Sequence, residues 1–294
     1  MSKKIKFGQE KTTDPQTIEK YLDDIFNEPD IHLQKSSFIL ITSLYPEASH
    51  ITFEFPGKHL KKVNSRIYLP SGEELDIDYA STVLPDGNKV AKKSTIDVEF
   101  QSQLPSDEKI EEMFFNNIGL TYRKKIPSIP VIITNKNPGK SIIDYKIHNQ
   151  LLRINYIIVT SEKISKRLDI LKEICETRRE FSESELLNFA YIAIFVEDNA
   201  KNIMEQLTVL FCRFPYIEEN IKVNLHHVFK NMIRHHFKDD LKKARELMRF
   251  IFENLSHFKF KHKNSYEKEI FEKDQKIKKL YKKLNELDNK LNEK

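Results

Sequence analysis

Glycine is scarce in this chain, with 6 residues in 294, where ordinary usage gives roughly 20. They stand at Gly8, Gly57, Gly72, Gly87, Gly119 and Gly139, and none follows. No two of them fit GxGxxG or GxxxxGK followed by Ser or Thr, which excludes a glycine-rich loop cradling phosphate. Phosphate chemistry here must rest on side chains or a metal. Tryptophan is absent, replaced by 20 Phe and 11 Tyr. Two cysteines, Cys175 and Cys212, are too few for a disulfide framework and read as small core residues. Long apolar runs are also missing. The longest, Phe189 to Val196, falls far short of a bilayer span, and the polar start, Met1 to Gly8, offers no signal segment. The expectation is a cytoplasmic protein without a membrane partner.

Proline repeats the division drawn by glycine, since only Pro215 lies beyond Pro138. A turn-rich first half therefore precedes a breaker-poor second half. Apolar spacing over residues 16 to 45 predicts two helices interrupted at Pro29. Strand candidates follow at 51–55, 63–69, 73–84 and 89–101, separated by Pro/Gly turns. Ser106 is placed to cap a helix whose first turn is acidic, with Ile110, Met113, Phe114 and Ile118 on one face. Residues 131–134 and 151–160 read as further, mostly buried strands. From Ser161 onward helix succeeds helix. Ser182 and Glu185 form a capping box opening an apolar segment, Leu186 to Val196. Ile270, Ile277, Leu280, Leu284, Leu287 and Leu291 keep a short heptad seam, a candidate homo-oligomer contact in residues 264–294.

Charge is unevenly placed. Residues 201–294 hold 22 Lys+Arg against 14 Asp+Glu, a basic half that suits a polyanion or a solvated helical face. Six of the ten histidines lie between His226 and His262. Their spacing does not give the three- or four-residue intervals of helical metal ligands. They read instead as a basic, pH-sensitive helix pair with Phe229, Met232, Ile233 and Phe237 as core.

The stretch that carries chemistry runs from Glu73 to Tyr79, through the turn Pro85-Asp-Gly-Asn88, to Thr95 to Gln101. A turn of that composition between alternating segments predicts a hairpin. Pairing Leu84 with Lys89 sets Leu75 opposite Val98 and Ile77 opposite Ile96, and Asp76 opposite Asp97, with Glu99 and Gln101 on the acidic face. Opposed carboxylates repel unless some are protonated or a cation lies between them. Oxygen ligands would select a hard ion, Mg²⁺ or Mn²⁺, over zinc. The competing reading is the wet face of an ordinary hairpin, and a two-residue slip would keep the faces but change the partners.

These residues resemble a known family. Leu75-Asp76-Ile77, a turn, and a strand ending Val98-Glu99-Phe100-Gln101 look like the PD-(D/E)XK nuclease superfamily, and within it the transposase-associated, recombination-promoting branch, where Gln often replaces the last Lys. Residues Tyr21 to Phe26 resemble that branch's opening helix, with Asn27 where Lys is usual. The resemblance covers about residues 18 to 160. It implies an α/β restriction-endonuclease-like core, a mixed sheet flanked by helices, over residues 1–160. A helical domain at 161–263 and a coiled-coil-like helix at 264–294 complete the expected chain. The resemblance also implies that Asp76, Glu99 and the Phe100 backbone carbonyl bind Mg²⁺ or Mn²⁺, and that Gln101 orients the attacking water or a phosphate oxygen. Asp78 is the second candidate for the first carboxylate, and Asp97 is an extra ligand or a supporting group. The Asp76 to Glu99 connection is longer than is usual there, and Tyr122-Arg123 is the local counterpart of the family's Arg/Tyr pattern. The expectation is a DNA endonuclease, with a catalytically inactive scaffold as its alternative.

Overall fold

The computed structural model describes residues 15–28, 32–56, 59–62, 66–68, 74–76, 79–84, 94–213 and 219–255, and for the strands between 59 and 84 the backbone alone. All belong to one compact unit. Helices α1 (Pro15–Phe26) and α2 (Leu33–Leu44) flank Pro29 as the spacing predicts. Helix α3 (Pro46–Thr52) occupies ground expected to be strand at 51–55. Pro46 sits in its first turn, where a fixed φ favours helix. Phe53 and Phe55 are buried against Phe38 while Ile51 is 67 % exposed, so the local apolar spacing reflects aromatic packing rather than a strand face.

The strands are β1 (His59–Lys62), β2 (Arg66–Tyr68), β3 (Glu74–Asp76), β4 (Tyr79–Leu84), β5 (Ser94–Phe100), β6 (Ser128–Thr134), β7 (Ile142–Ile147) and β8 (Gln150–Ile158), with α4 (Asp107–Lys124) between β5 and β6. Six form a mixed sheet in the order β1-β4-β5-β6-β8-β7, parallel at β5–β6 and β6–β8; β2 and β3 make a separate antiparallel pair. The expected 73–84 strand is thus two strands belonging to two sheets.

That division overturns the expected register. Tyr79 pairs with Val98 and Ala80 with Asp97, while Asp76 pairs with Arg66. The four-residue shift preserves the alternation of β5, because side-chain direction repeats every two residues. It removes the carboxylate-on-carboxylate contact and sets an alanine beside Asp97.

β7 was not expected at all. Its turn, His148-Asn149, has φ of 46° and 65°, so two non-glycine residues adopt the left-handed backbone usually signalled by Asn-Gly. The hairpin is clamped where Arg153 donates two hydrogen bonds to Asp144, at 2.7 and 3.0 Å.

Helices α5 (Ser161–Thr177), α6 (Glu183–Leu186), α7 (Asn188–Phe195), α8 (Ala200–Arg213), α9 (Glu219–His236) and α10 (Leu241–Leu255) follow. The capping box is present at Ser182 and Glu185, and α7 is buried on every side. Phe229, Met232, Ile233 and Phe237 are buried as expected. Cys175 and Cys212 are only half-buried, and burial pushes the Cys212 thiol up to about 12. The heptad seam lies outside the described residues. No described helix is long and apolar enough to cross a membrane.

Candidate functional site

β5 is buried on both faces. Ile96, Val98 and Phe100 point one way, where the Phe100 ring meets Phe38 of α2 and Phe195 of α7, with centroids 5.6 and 5.5 Å apart. Thr95, Asp97 and Glu99 alternate to the other face, beneath α4, and each has no solvent exposure. Burying ionised carboxylates is costly unless cations and hydrogen bonds meet them. An all-apolar strand would serve packing better.

α4 supplies the cation. Ser106 caps it by accepting a hydrogen bond from the Lys109 backbone N–H, and this capping fixes the first turn that aims Lys109 at the sheet. Lys109 Nζ lies 3.0 Å from Glu99 and 2.9 Å from Glu112. Burial alone would depress this ammonium, but the two carboxylates outweigh it and hold its pKa above the ordinary lysine value. Asn116 lies two turns further along the same line of the helix and is 1 % exposed. Its Nδ2, like the Thr95 hydroxyl of β5, has no hydrogen-bond partner among the described residues. Beside this polar strip, Ile110, Met113 and Phe114 pack on Ile132, Leu152, Ile154 and Tyr156, while Ile118, expected on the same face, is 45 % exposed. Apolar packing on one flank therefore positions α4 over the acids on the other.

The sequence candidates divide as follows. Asp97 and Glu99 share one face of β5, and Gln101 continues it half-buried, its backbone N–H donating to the Ile133 carbonyl at 3.0 Å. Phe100 turns its ring to the opposite side. Asp76 is in β3, a strand that lies against α4, so both candidate motif strands meet the same helix. Asp78 lies outside the described residues, as does the side chain of Asp76. Tyr122 is 59 % exposed, with Lys125 Nζ 4.0 Å from its ring centre. Lys109 is the residue that sequence reasoning missed. Its signal was a lone lysine among the acids of the first turn, one position before the apolar stripe.

The donors suit a hard divalent ion, since buried carboxylates and a buried hydroxyl are oxygen ligands. Among the described residues, however, no three His, Cys, Asp or Glu side chains come together in a way that would hold a metal. A cavity of about 500 Å³ opens elsewhere, at the carboxyl ends of β6 and β8. Asn135, Ser161, Phe195 and Asp198 are among its lining residues, and Asp97, Glu99, Gln101 and Lys109 are not.

Two of the histidines have other work. His226 Nε2 and Tyr21 Oη are 2.5 Å apart, and His236 Nε2 lies 3.0 Å from the Ala193 carbonyl. No protein-family model matches the chain, and no curated protein or solved structure matches it either.

Proposed function

We propose that the chain is a metal-dependent nuclease with a restriction-endonuclease-like core, hydrolysing phosphodiester bonds in DNA. The observation that carries this reading is the pair Asp97 and Glu99, wholly buried on one face of β5, where a packed core has no need of acids. Asp76, Glu99 and the Phe100 carbonyl would hold Mg²⁺ or Mn²⁺, with Asp97 or Asp78 supporting them. An ion bound there supplies Lewis-acid neutralisation of phosphate charge and lowers the pKa of bound water. Gln101 contributes an uncharged donor and acceptor to orient water or a phosphate oxygen. Lys109 places a positive charge 3.0 Å from Glu99.

Supercoiled plasmid incubated with the purified chain and Mg²⁺ or Mn²⁺ tests the reading. Nicking by wild type and its loss in Glu99→Gln, with circular dichroism unchanged, is the expected result. Equal cleavage by both proteins overturns the assignment, as does the absence of cleavage under either ion.

A second reading is a scaffold that keeps the fold and binds DNA or protein through its basic helices and residues 264–294. The 3.0 Å contact between Lys109 and Glu99 favours it, because an internal cation already occupies a carboxylate that a metal would need. Calorimetric titration with Mn²⁺ separates the two. Binding that disappears in Glu99→Gln supports the nuclease, and no binding to wild type supports the scaffold.

A further inference from the structure

α4 presents a second face away from the sheet. Phe115, Ile118 and Tyr122 are 49, 45 and 59 % exposed, and their spacing of three and four residues puts them in one stripe. Glu108, Glu111 and Glu112 precede this stripe, and Arg123, Lys124 and Lys125 follow it. The helix dipole accounts for acids in the first turn and bases in the last. It does not account for two aromatic rings and an isoleucine between them. In addition, the β7–β8 turn adjoins the acidic half, with His148 Nε2 2.9 Å from Glu111.

We propose that this face is a self-association surface, in which α4 packs antiparallel on α4 of a second copy of the chain. A two-fold axis near the height of Asn117 sets Glu111 of each copy near Arg123 of the other, with Phe115 and Ile118 at the centre. The surface is thereby complementary to itself, as an isologous contact requires. Charge order selects this occupant. A nucleic acid or an anionic membrane would find the basic end of the stripe attractive and its acidic end repulsive, whereas an inverted copy satisfies both ends. The contact is separate from the heptad seam of residues 264–294 and independent of the nuclease reading.

Sedimentation of the intact chain at micromolar concentrations tests the proposal. Wild type is expected to dimerise, and Phe115→Glu to sediment as a monomer. The variants Glu111→Lys and Arg123→Glu each place like charges against like. Each is expected to weaken self-association by at least about tenfold, while an equimolar mixture restores dimers. Wild type that remains monomeric, or dimers indifferent to all of these changes, overturns the proposal; the latter result assigns association to another surface. Tyr122→Ala that weakens DNA binding while leaving sedimentation unchanged overturns it in favour of a nucleic-acid surface.

Discussion

Among the described residues, charge is buried in two places, and with opposite geometry. On α9, the cations Lys222, Lys230 and Arg234 and the neutral His226 follow one another every four residues and are all nearly inaccessible. Lys230 and Arg234 reach Glu28 just past α1, at 2.8 and 3.3 Å, and that acid is the more exposed partner, its side chain 30 % accessible. Under α4 the order is inverted. Glu99 lies at the bottom with no exposure, and Lys109 above it retains 18 %. The α9 seam ties the first helix to the ninth through ion pairs, so its charges have an architectural task. The Glu99–Lys109 pair joins β5 to α4, a helix already held there by its apolar flank. Burial of charge without an architectural task is what separates a candidate site from a structural network.

The largest effects are expected where a cation or anion is removed from beneath its partner. Lys109→Met leaves Glu99 buried without that cation and should cost about 3 kcal/mol. Glu28→Gln should cost a similar amount or somewhat less, because water already reaches Glu28 and screens the loss. Urea unfolding of both variants measures the comparison. A Lys109→Met protein as stable as wild type would show that Glu99 does not depend on the ammonium.

Acid should strain α9 through its buried histidines. Burial, reinforced by His227 and Lys230, pushes His226 down to about 3, and burial also lowers His236 to about 4. The unfolded chain protonates these imidazoles near pH 6.5, while the folded chain resists until far lower pH. Stability therefore falls as pH drops below 6.5, by up to about 1.4 kcal/mol per unit for each histidine. By pH 5 the loss is about 2 kcal/mol per imidazole. Denaturation midpoints at pH 7, 6 and 5 record it, and His226→Gln should flatten the profile by about half. An unchanged profile would mean that His226 gains protons equally in both states. The sequence suggested pH sensitivity in this region, and its direction required the burial to be known.

Local signals in the sequence are well kept by the fold. Ser106 and the Ser182–Glu185 box cap helices where their chemistry places them, because capping is settled within four residues. The run at 131–134 became β6, buried on both faces, whereas β8, expected to be mostly buried, buries alternate residues and leaves Leu151 72 % exposed. Long-range pairing was not legible. Pro85-Asp-Gly-Asn88 suggested a short hairpin loop, yet Val83 pairs with Ser94, leaving a connection longer than two residues. β7 escaped notice because His148-Asn149 carries no glycine. For the site, alternation along β5 put Asp97, Glu99 and Gln101 on one face correctly, whereas the partner opposite Asp97 depended on which sheet claims residues 74–76. Lys109 could be found only by knowing that α4 covers the acidic face.

Glu99→Gln is the smallest perturbation and the sharpest test of the difference between the two clusters. In the α9 seam, loss of Glu28 deprives two buried cations of a carboxylate they share. Beneath α4, loss of the Glu99 charge leaves Lys109 with Glu112, 2.9 Å away and half-exposed, so no cation is stranded. The neutral amide nearly matches Glu99 in shape and removes the desolvation cost of an ionised acid. Stability is expected to remain within about 1 kcal/mol of wild type, or to rise, while the Mn²⁺ response and plasmid cleavage vanish. A protein that loses stability as Glu28→Gln does would place Glu99 among the architectural charges and remove the main reason for reading β5 as a site.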